Sequence, residues 1–294
     1  MSIESSIEAV AKPDHFGTMI YSSSPELDHP LRLLRSMGRD LVLSRELAWR
    51  LTVRDIKAQY RQSLLGYVWA FLPPLLIAAS FAFLRSTGFM NVDEVKVSYG
   101  AFVITGALLW QIFADAVTSP LRVTTSCRDI LVKVLFPREA LVLSAMLLTL
   151  FGAGIRMIIM VPVMLYFQVP LTGSFLLMPL GVVALTIAGT SLGVLLVPIG
   201  LLYKDIERAL SPLLMLWLLI IPVAYPFSNS GANWFHHLNF VVPLIDCTRF
   251  WIIGGATSDT TAFFAVLVGA IAVLLVGWLL FRLAFPHLIA RLGV

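Results

Sequence analysis

The clearest pattern along the chain is a series of apolar runs, each about as long as a membrane span. A sliding window of about 19 residues separates six of them. Each can cross the roughly 30 Å hydrocarbon core as a helix, which takes about 20 residues. The predicted spans are residues 64–85, 99–119, 139–167, 174–202, 209–227 and 261–284. The pattern therefore predicts an all-α, polytopic membrane protein with six transmembrane helices in residues 63–294.

A different periodicity precedes the first span, over residues 40–62. Four cations recur at helical spacing on one face: Arg50, Arg54, Lys57 and Arg61. An apolar stripe lies about 100° around the same helix, formed by Trp49, Val53, Ile56 and Tyr60. This pattern predicts an amphipathic helix at the membrane–water interface. Residues 1–30 are polar and have no signal-peptide core, and residues 1–39 are predicted to form a weakly ordered or disordered cytoplasmic tail.

Composition excludes a soluble domain. The chain has 59% hydrophobic and 13% charged residues and a mean hydropathy of +0.89, whereas roughly a quarter of the residues of a soluble domain are charged. The net charge of +4 and pI near 9.2 do not indicate nucleic acid, because the cations cluster beside apolar runs and no aromatic–basic module is present.

The distribution of Lys and Arg predicts the orientation. With the N-terminus in the cytoplasm, seventeen of the 21 Lys and Arg residues lie on that side and three on the other. By the positive-inside rule, both termini are cytoplasmic. Cys127 and Cys247 then lie on opposite sides, which excludes a disulfide within the chain. Cys127 is expected to be inert, while Cys247 could pair between subunits.

The cytoplasmic loop 120–138 is patterned rather than featureless. Arg128, Ile130–Leu131 and Val134–Leu135 predict a short amphipathic helix, which Pro137 ends because the residue before a proline is biased away from helix. From the pattern alone, a helix lying on the membrane and a helix that docks a soluble partner are equally supported.

The outer segment 228–256 is nearly apolar enough to cross the membrane, but polar residues and a proline interrupt it. These are His236, His237, Asn239, Pro243, Asp246 and Arg249. We expect two short helices that enter the outer leaflet and return, forming a re-entrant outer gate. Asp246 and Arg249 have the spacing of an i, i+3 ion pair. The adjacent histidines lack the i, i+4 spacing of a helical metal pair, so no metal site is predicted.

Five segments in this order resemble the membrane subunit of ABC-2-type polysaccharide exporters, the family of O-antigen, capsular and teichoic-acid transporters. They are RDIKAQYRQSLLGYVWAFLPPL at 54–75, LVKVLFPRE at 131–139, YKDIERALSPLL at 203–214, IPVAYP at 221–226 and NFVVPLIDCTRFW at 239–251. The resemblance covers about residues 40–290. One departure is Phe240, where the family usually has a proline after the residue matching Asn239.

The resemblance implies the ABC-2 permease fold in a bacterial inner membrane. It implies a homodimer of this subunit with two copies of a separate ATPase, and a lipid-linked polysaccharide that leaves the cytoplasm through a tunnel between the two copies. ATP and Mg would bind the partner, since the chain has no G-x-x-x-x-G-K-[ST] motif. No catalytic residue and no cofactor is expected on this chain. The resemblance assigns ATPase coupling to Arg128, Lys133, Phe136, Pro137 and Arg138.

Sugars pack their C–H faces on aromatic rings, so a sugar tunnel is expected to contain Tyr, Trp and Phe. The candidates on spans one and five are Tyr67, Trp69, Phe71, Trp217, Tyr225 and Phe227. Aromatic residues near span ends also form the interfacial belt, which is the alternative for each of them.

Arg156 is a basic residue well inside a span, a position that marks function by default. Its side chain either snorkels outward or meets the phosphate of a lipid-linked substrate. Asp115 is expected to lie too near the cytoplasmic end to reach it, because Arg156 is about 25 Å up its own helix.

Two other functions remain open from the sequence. Asp93 and Glu94 in the first outer loop are the best support for a membrane glycosyltransferase that uses a lipid-linked sugar, although the short outer loops leave little room for an active site. An ABC exporter of a small hydrophobic drug would share the machinery but lack the sugar tunnel. An adjacent ATPase gene among glycosyltransferase genes would favour polysaccharide export.

Overall fold

A computed structural model of the chain describes residues 30–61, 72–87, 98–128, 131, 137–169, 173–221, 239–254 and 259–292. The described helices are α1 (Pro30–Arg61), α2 (Leu72–Ser86), α3 (Tyr99–Ser126), α4 (Glu139–Tyr166), α5 (Met178–Leu202), α6 (Lys204–Ile220), α7 (Val241–Ile253) and α8 (Thr260–Leu292), with a 3-10 helix at Gly173–Leu177 before α5. Residues 1–40 and 41–294 form separate units. The described part of the first unit is the beginning of α1, and the rest of α1 and the other described helices belong to the second unit.

Four predicted spans are confirmed as long apolar helices. Tyr99–Ser126, Glu139–Tyr166, Gly173–Leu202 and Thr260–Phe285 are each long and apolar enough to cross a membrane. The predicted spans 64–85 and 209–227 lie partly outside the described residues, where α2 and α6 cover the described portions. A count of six spans therefore remains a prediction.

Helix α3 extends seven residues beyond the predicted end of its span, through Pro120 to Ser126. Arg122 lowers the local hydropathy there, but the helix continues, and hydroxyl side chains near this end bond to carbonyls of their own helix. Thr118 Oγ1 donates to the carbonyl of Ala114 over 3.1 Å, and Thr124 Oγ1 donates to that of Pro120 over 2.7 Å. Helix α1 likewise begins at Pro30, ten residues before the predicted start, since proline is favoured in the first helical turn.

Helix α5 packs against α3 with almost no space between the backbones. A Cβ built on Gly193 would lie 2.5 Å from the carbonyl oxygen of Val117, and one on Gly189 would lie 2.6 Å from that of Phe113. Small residues at such contacts let membrane helices approach closely. This contact fixes α3, which carries most of the candidate site, against the rest of the bundle.

Helix α1 docks through a face of small residues that neither predicted stripe includes. Ser44, Ala48 and Thr52 are buried. Thr52 Oγ1 lies 3.1 Å from Ser144 Oγ of α4. Trp49 of the predicted apolar stripe is 60% exposed, so it remains free to contact lipid.

Candidate functional site

A half-open groove of about 570 Å³ runs between α2, α3 and α6. Its wall is formed by Pro73, Leu76, Ile77, Trp110, Gln111, Ala114, Asp115, Thr118, Leu121, Arg122, Glu207, Leu210, Ser211, Leu214, Met215 and Leu218. Ligand sites in proteins typically enclose about 300–1,000 Å³ and combine an apolar lining with a few polar groups. The groove has this size and this mixture.

The polar groups lie along one face of α3. Gln111, Asp115, Thr118 and Arg122 line the groove at i, i+4, i+7 and i+11, so they form a single strip. This strip was not identified from the sequence. The signal was the helical spacing of four polar residues within an apolar span, the same spacing that identified the cations of α1.

Helix α6 adds two further polar residues to the groove. Glu207 and Ser211 both line it, and they stand one helical turn apart. The remaining lining is mostly apolar. The wall therefore offers hydrogen-bonding groups and carbon surfaces side by side.

Asp115 and Arg156 form an ion pair, so the expectation that they lie too far apart was wrong. Arg156 Nη2 lies 2.5 Å from Asp115 Oδ2. Because α3 continues to Ser126, Asp115 stands about three turns from the end of its helix rather than beside it. The long arginine side chain spans the remaining difference in height. A contact between Arg156 and a lipid phosphate remains a prediction that no described contact tests.

An aromatic cluster lies beside the groove and includes Trp217, one of the predicted tunnel residues. The ring of Trp217 lies 5.8 Å from Trp110, 5.5 Å from Phe113 and 5.9 Å from Phe240, centroid to centroid, in edge-on contacts. Trp110 also lines the groove. The cluster gives Phe240 a packing role at the position where the family that the sequence resembles usually has proline.

Five other predicted tunnel residues lie outside the described residues: Tyr67, Trp69, Phe71, Tyr225 and Phe227. Their place in a tunnel remains a prediction.

The predicted pair in the outer segment is confirmed. Arg249 Nη1 lies 3.4 Å from Asp246 Oδ1, and the Arg249 guanidinium sits 4.0 Å from the ring centroid of Phe102 in α3. Asn239 Oδ1 accepts a hydrogen bond from the backbone N–H of Val241 at the start of α7. Helix α7, which includes Pro243, is largely buried. Its use as a gate remains a prediction.

Arg138, a predicted coupling residue, contacts α8. Its Nη1 donates to the carbonyl of Arg282 over 2.8 Å, and its guanidinium lies 5.3 Å from the ring centroid of Phe285. Glu139 and Arg282 form a buried ion pair with 3.3 Å between Oε1 and Nη1. Of the other predicted coupling residues, Arg128 and Pro137 are described, while Lys133 and Phe136 lie outside the described residues.

The cationic stripe of α1 engages carboxylates of its own helix. Arg50 Nη2 lies 2.6 Å from Glu46 Oε1, and Arg54 Nη2 lies 2.8 Å from Asp55 Oδ1. Arg54 also donates to Cys127 Sγ over 3.2 Å. Burial lowers the pKa of Arg54, but the bonds to Cys127 and Asp55 outweigh it and hold that pKa above its ordinary value. Lys57 is exposed, and the side chain of Arg61 lies outside the described residues.

Comparison with known proteins identifies the family. The model of the ABC-2 type transporter family matches residues 46–251. The "O-antigen export system permease protein RfbA" of Myxococcus xanthus is 31% identical over 193 residues, which cover 65% of this chain and 72% of that protein. The protein of the same name from Klebsiella pneumoniae is 29% identical over 181 residues, covering 60% and 67%. The "Polysialic acid transport protein KpsM" of Escherichia coli is 20% identical over 242 residues, covering 79% and 91%. The match to the family model and the apolar helices together place the chain in the ABC-2 type transporter family of membrane proteins.

Proposed function

We propose that this chain is the membrane subunit of an ATP-driven exporter that moves a lipid-linked polysaccharide out of the cytoplasm. Two copies enclose the path, a separate ATPase drives it, and each copy crosses the inner membrane six times with both termini in the cytoplasm. The family match and the names of the relatives, which include O-antigen export permeases and a polysialic acid transport protein, support this proposal.

The observation that carries the proposal is the charge and polarity of the groove wall. Asp115 and the rest of the polar strip lie in an apolar helix of membrane-spanning length. Ionisable groups at such depth face protein or water rather than lipid, because exposure to hydrocarbon is costly. Because the groove is open along one side, its polar side chains would face lipid unless another protein surface covers the opening and encloses water. A second copy, with its own groove facing the first, supplies that cover and creates a continuous path.

The chemistry of the wall fits a glycan. Sugar hydroxyls need hydrogen-bonding groups, which Gln111, Thr118 and Ser211 provide. The C–H faces of the rings need carbon surface, which the exposed side chains of Leu76 and Met215 offer. A small apolar drug would displace water from the remaining hydrogen-bonding groups of the strip without replacing those bonds, which costs binding energy. The predicted aromatic residues Tyr67 and Tyr225 would extend the same path. Replacing either with Ala is expected to reduce export while the complex still assembles.

ATP energy would enter through the cytoplasmic loop that ends at Arg138. Because Arg138 bonds to α8, a displacement of the loop would reach that helix directly. The outer segment around α7 would close the far end of the path. The stacked pair of Arg249 and Phe102 would hold α7 against α3 there.

The test is to purify the chain with the ATPase encoded beside it and reconstitute the complex in lipid vesicles. Lipid-linked glycan extracted from the source cells should stimulate ATP hydrolysis, and hydrophobic drugs should not. Stimulation by drugs alone would move the assignment to the drug-exporter alternative. A failure of glycan to stimulate a complex that binds and hydrolyses ATP would refute the proposal.

A further inference from the structure

The groove is lined by acidic and basic side chains, and the net charge at its wall depends on a residue that lies behind the wall. Asp115, Arg122 and Glu207 line the groove, so two carboxylates face one guanidinium. The Asp115 side chain is 33% exposed, whereas that of Arg156 is only 9% exposed. Arg156 is not part of the lining, yet its charge is what brings the sum of these four groups to zero.

The guanidinium of Arg156 bonds to Asp115. Among the described residues, its Nε and Nη1 atoms are buried without a hydrogen-bond partner, and the bond of 2.5 Å runs from Nη2 to Asp115 Oδ2. A Cβ built on Gly152, one turn earlier in α4, would lie 3.4 Å from Nη1. Gly152 therefore lies directly beside the guanidinium.

The carboxylate of Asp115 is held at both oxygens. Gln111 Nε2 donates to Oδ1 over 3.3 Å, and Arg156 holds Oδ2. A fixed carboxylate with a paired guanidinium presents little net field to the groove. Removal of either partner leaves the other as an uncompensated charge in a low-dielectric wall, where its field is strong.

We infer that Arg156 is a specificity-determining positioning residue, which neutralises Asp115 so that the path accepts glycans whose repeating units carry no net charge. Arg156 acts through Asp115 and does not touch the polymer. This inference rests on the proposed function, in which the groove is the path.

The potential at the groove can be measured with a thiol placed one turn from Asp115. Thr118→Cys puts this thiol on the same strip. The native Cys127 and Cys247 are buried, and the parent chain without the substitution gives their background rate of reaction. The complex with its ATPase is treated in membrane vesicles with two methanethiosulfonate reagents, one cationic (trimethylammonium) and one anionic (sulfonate). The quantity of interest is the ratio of the two reaction rates.

Loss of one partner should shift this ratio in a direction set by the charge that remains. In the Thr118→Cys background, Arg156→Gln should raise the cationic-to-anionic ratio by about tenfold and Asp115→Asn should lower it by a similar factor. The double variant Asp115→Asn/Arg156→Gln should return close to the starting ratio, a result that a purely structural role would not produce because both partners of the contact are lost. Arg156→Lys, which keeps the charge, should also stay near it.

Two failures are distinguishable. If the introduced thiol reacts readily but the ratio is the same in all variants, the pair does not set the potential and the inference is wrong, while the proposed function stands. If the thiol reacts with neither reagent in an active complex, the groove is not a water-filled path, and both fall.

The substrate arm uses two lipid-linked glycans, one with uncharged repeats and one with a uronic acid in each repeat. The parent complex should hydrolyse ATP faster with the first than with the second. Asp115→Asn, which leaves Arg156 as an unpaired cation, should shift this preference towards the acidic glycan by about tenfold. Equal stimulation of the parent by both glycans would overturn the inference.

Discussion

Arg138, just before α4, donates a hydrogen bond of 2.8 Å to the backbone carbonyl of Arg282 in α8. The two residues are far apart in the sequence, and the neighbouring Glu139 binds the side chain of Arg282 as well. The end of the predicted coupling loop is therefore attached to the last helix by a hydrogen bond from a side chain to a backbone carbonyl and by a buried ion pair. The loop and α8 are expected to move as one element.

Arg138→Ala should reduce the stability of the protein. The variant loses a charged hydrogen bond to a carbonyl and the contact of the guanidinium with the Phe285 ring, which together are worth about 2 kcal/mol. Arg138→Lys should lose less, because it keeps the cation. Thermal unfolding in detergent measures both, with Arg208→Ala, an exposed cation on α6, as the control. Equal shifts in unfolding temperature for Arg208→Ala and Arg138→Ala would show that the contacts of Arg138 with α8 do not stabilise the protein.

Helix α1 should loosen when the hydroxyl of Thr52 is removed. Thr52→Val keeps the shape but leaves the buried hydroxyl of Ser144 without its partner in α1, at a cost of about 1–2 kcal/mol. Thr52→Ser keeps the hydroxyl and should remain near the parent. Limited proteolysis between residues 41 and 61 reports the loosening. Cleavage at the parent rate in Thr52→Val would show that the hydroxyl pair does not hold α1.

The contact between α3 and α5 predicts opposite effects for two chemically identical substitutions. Gly193→Ala places a methyl group 2.5 Å from the carbonyl oxygen of Val117 and 2.8 Å from Pro120 Cγ. The resulting overpacking should cost about 2 kcal/mol or more. Gly269→Ala in α8 meets nothing within 4 Å and should be neutral or stabilising by about 0.5–1 kcal/mol. Unfolding midpoints in detergent compare the two. Equal midpoints would show that α5 does not approach α3 this closely.

The sequence was enough to predict the apolar helices and the Asp246–Arg249 pair, because each rests on a local pattern. Hydropathy identifies a span without knowledge of its neighbours, and i, i+3 spacing identifies the pair. Hydropathy did not predict where α3 ends. The predicted span stops at residue 119 because Arg122 lowers the local hydropathy, but the helix continues to Ser126.

The Asp115–Arg156 pair was considered from the sequence and wrongly excluded. Its two residues are 41 positions apart, and their relative height depends on where each helix ends. The docked face of α1 was missed because Ser44, Ala48 and Thr52 form a small-residue face, which hydrophobic periodicity does not reveal. Both features arise from packing between helices, so a pattern within one helix does not predict them.

The stability of the first turn of α8 should depend on pH through the carboxylate of Asp259. Its carboxylate accepts hydrogen bonds from the Thr261 hydroxyl and from the backbone N–H groups of Ala262 and Thr261, which hold its pKa below the ordinary value. A lowered pKa means that the cap contributes stability above the unfolded-state pKa of about 3.9. This contribution is lost as the pH falls through the lower folded-state value.

Hydrogen exchange at the Thr261 and Ala262 amides measures this loss. Protection should fall as the carboxylate is protonated, and it should stay flat in Asp259→Asn, which caps without titrating. The same acid-induced loss in Asp259→Asn would exclude Asp259 as its source.

The central claim is that the polymer passes along the groove between α2, α3 and α6. The most direct measurement is photo-crosslinking in exporting cells, with benzoylphenylalanine at Ser211 in the groove and, as the matched control, at Val276, which is 55% exposed on α8 and outside the groove. The account predicts that the subunit with the probe at position 211 becomes covalently linked to glycan, while the subunit with the probe at position 276 does not. Glycan attached at position 276 and absent at position 211 would contradict it.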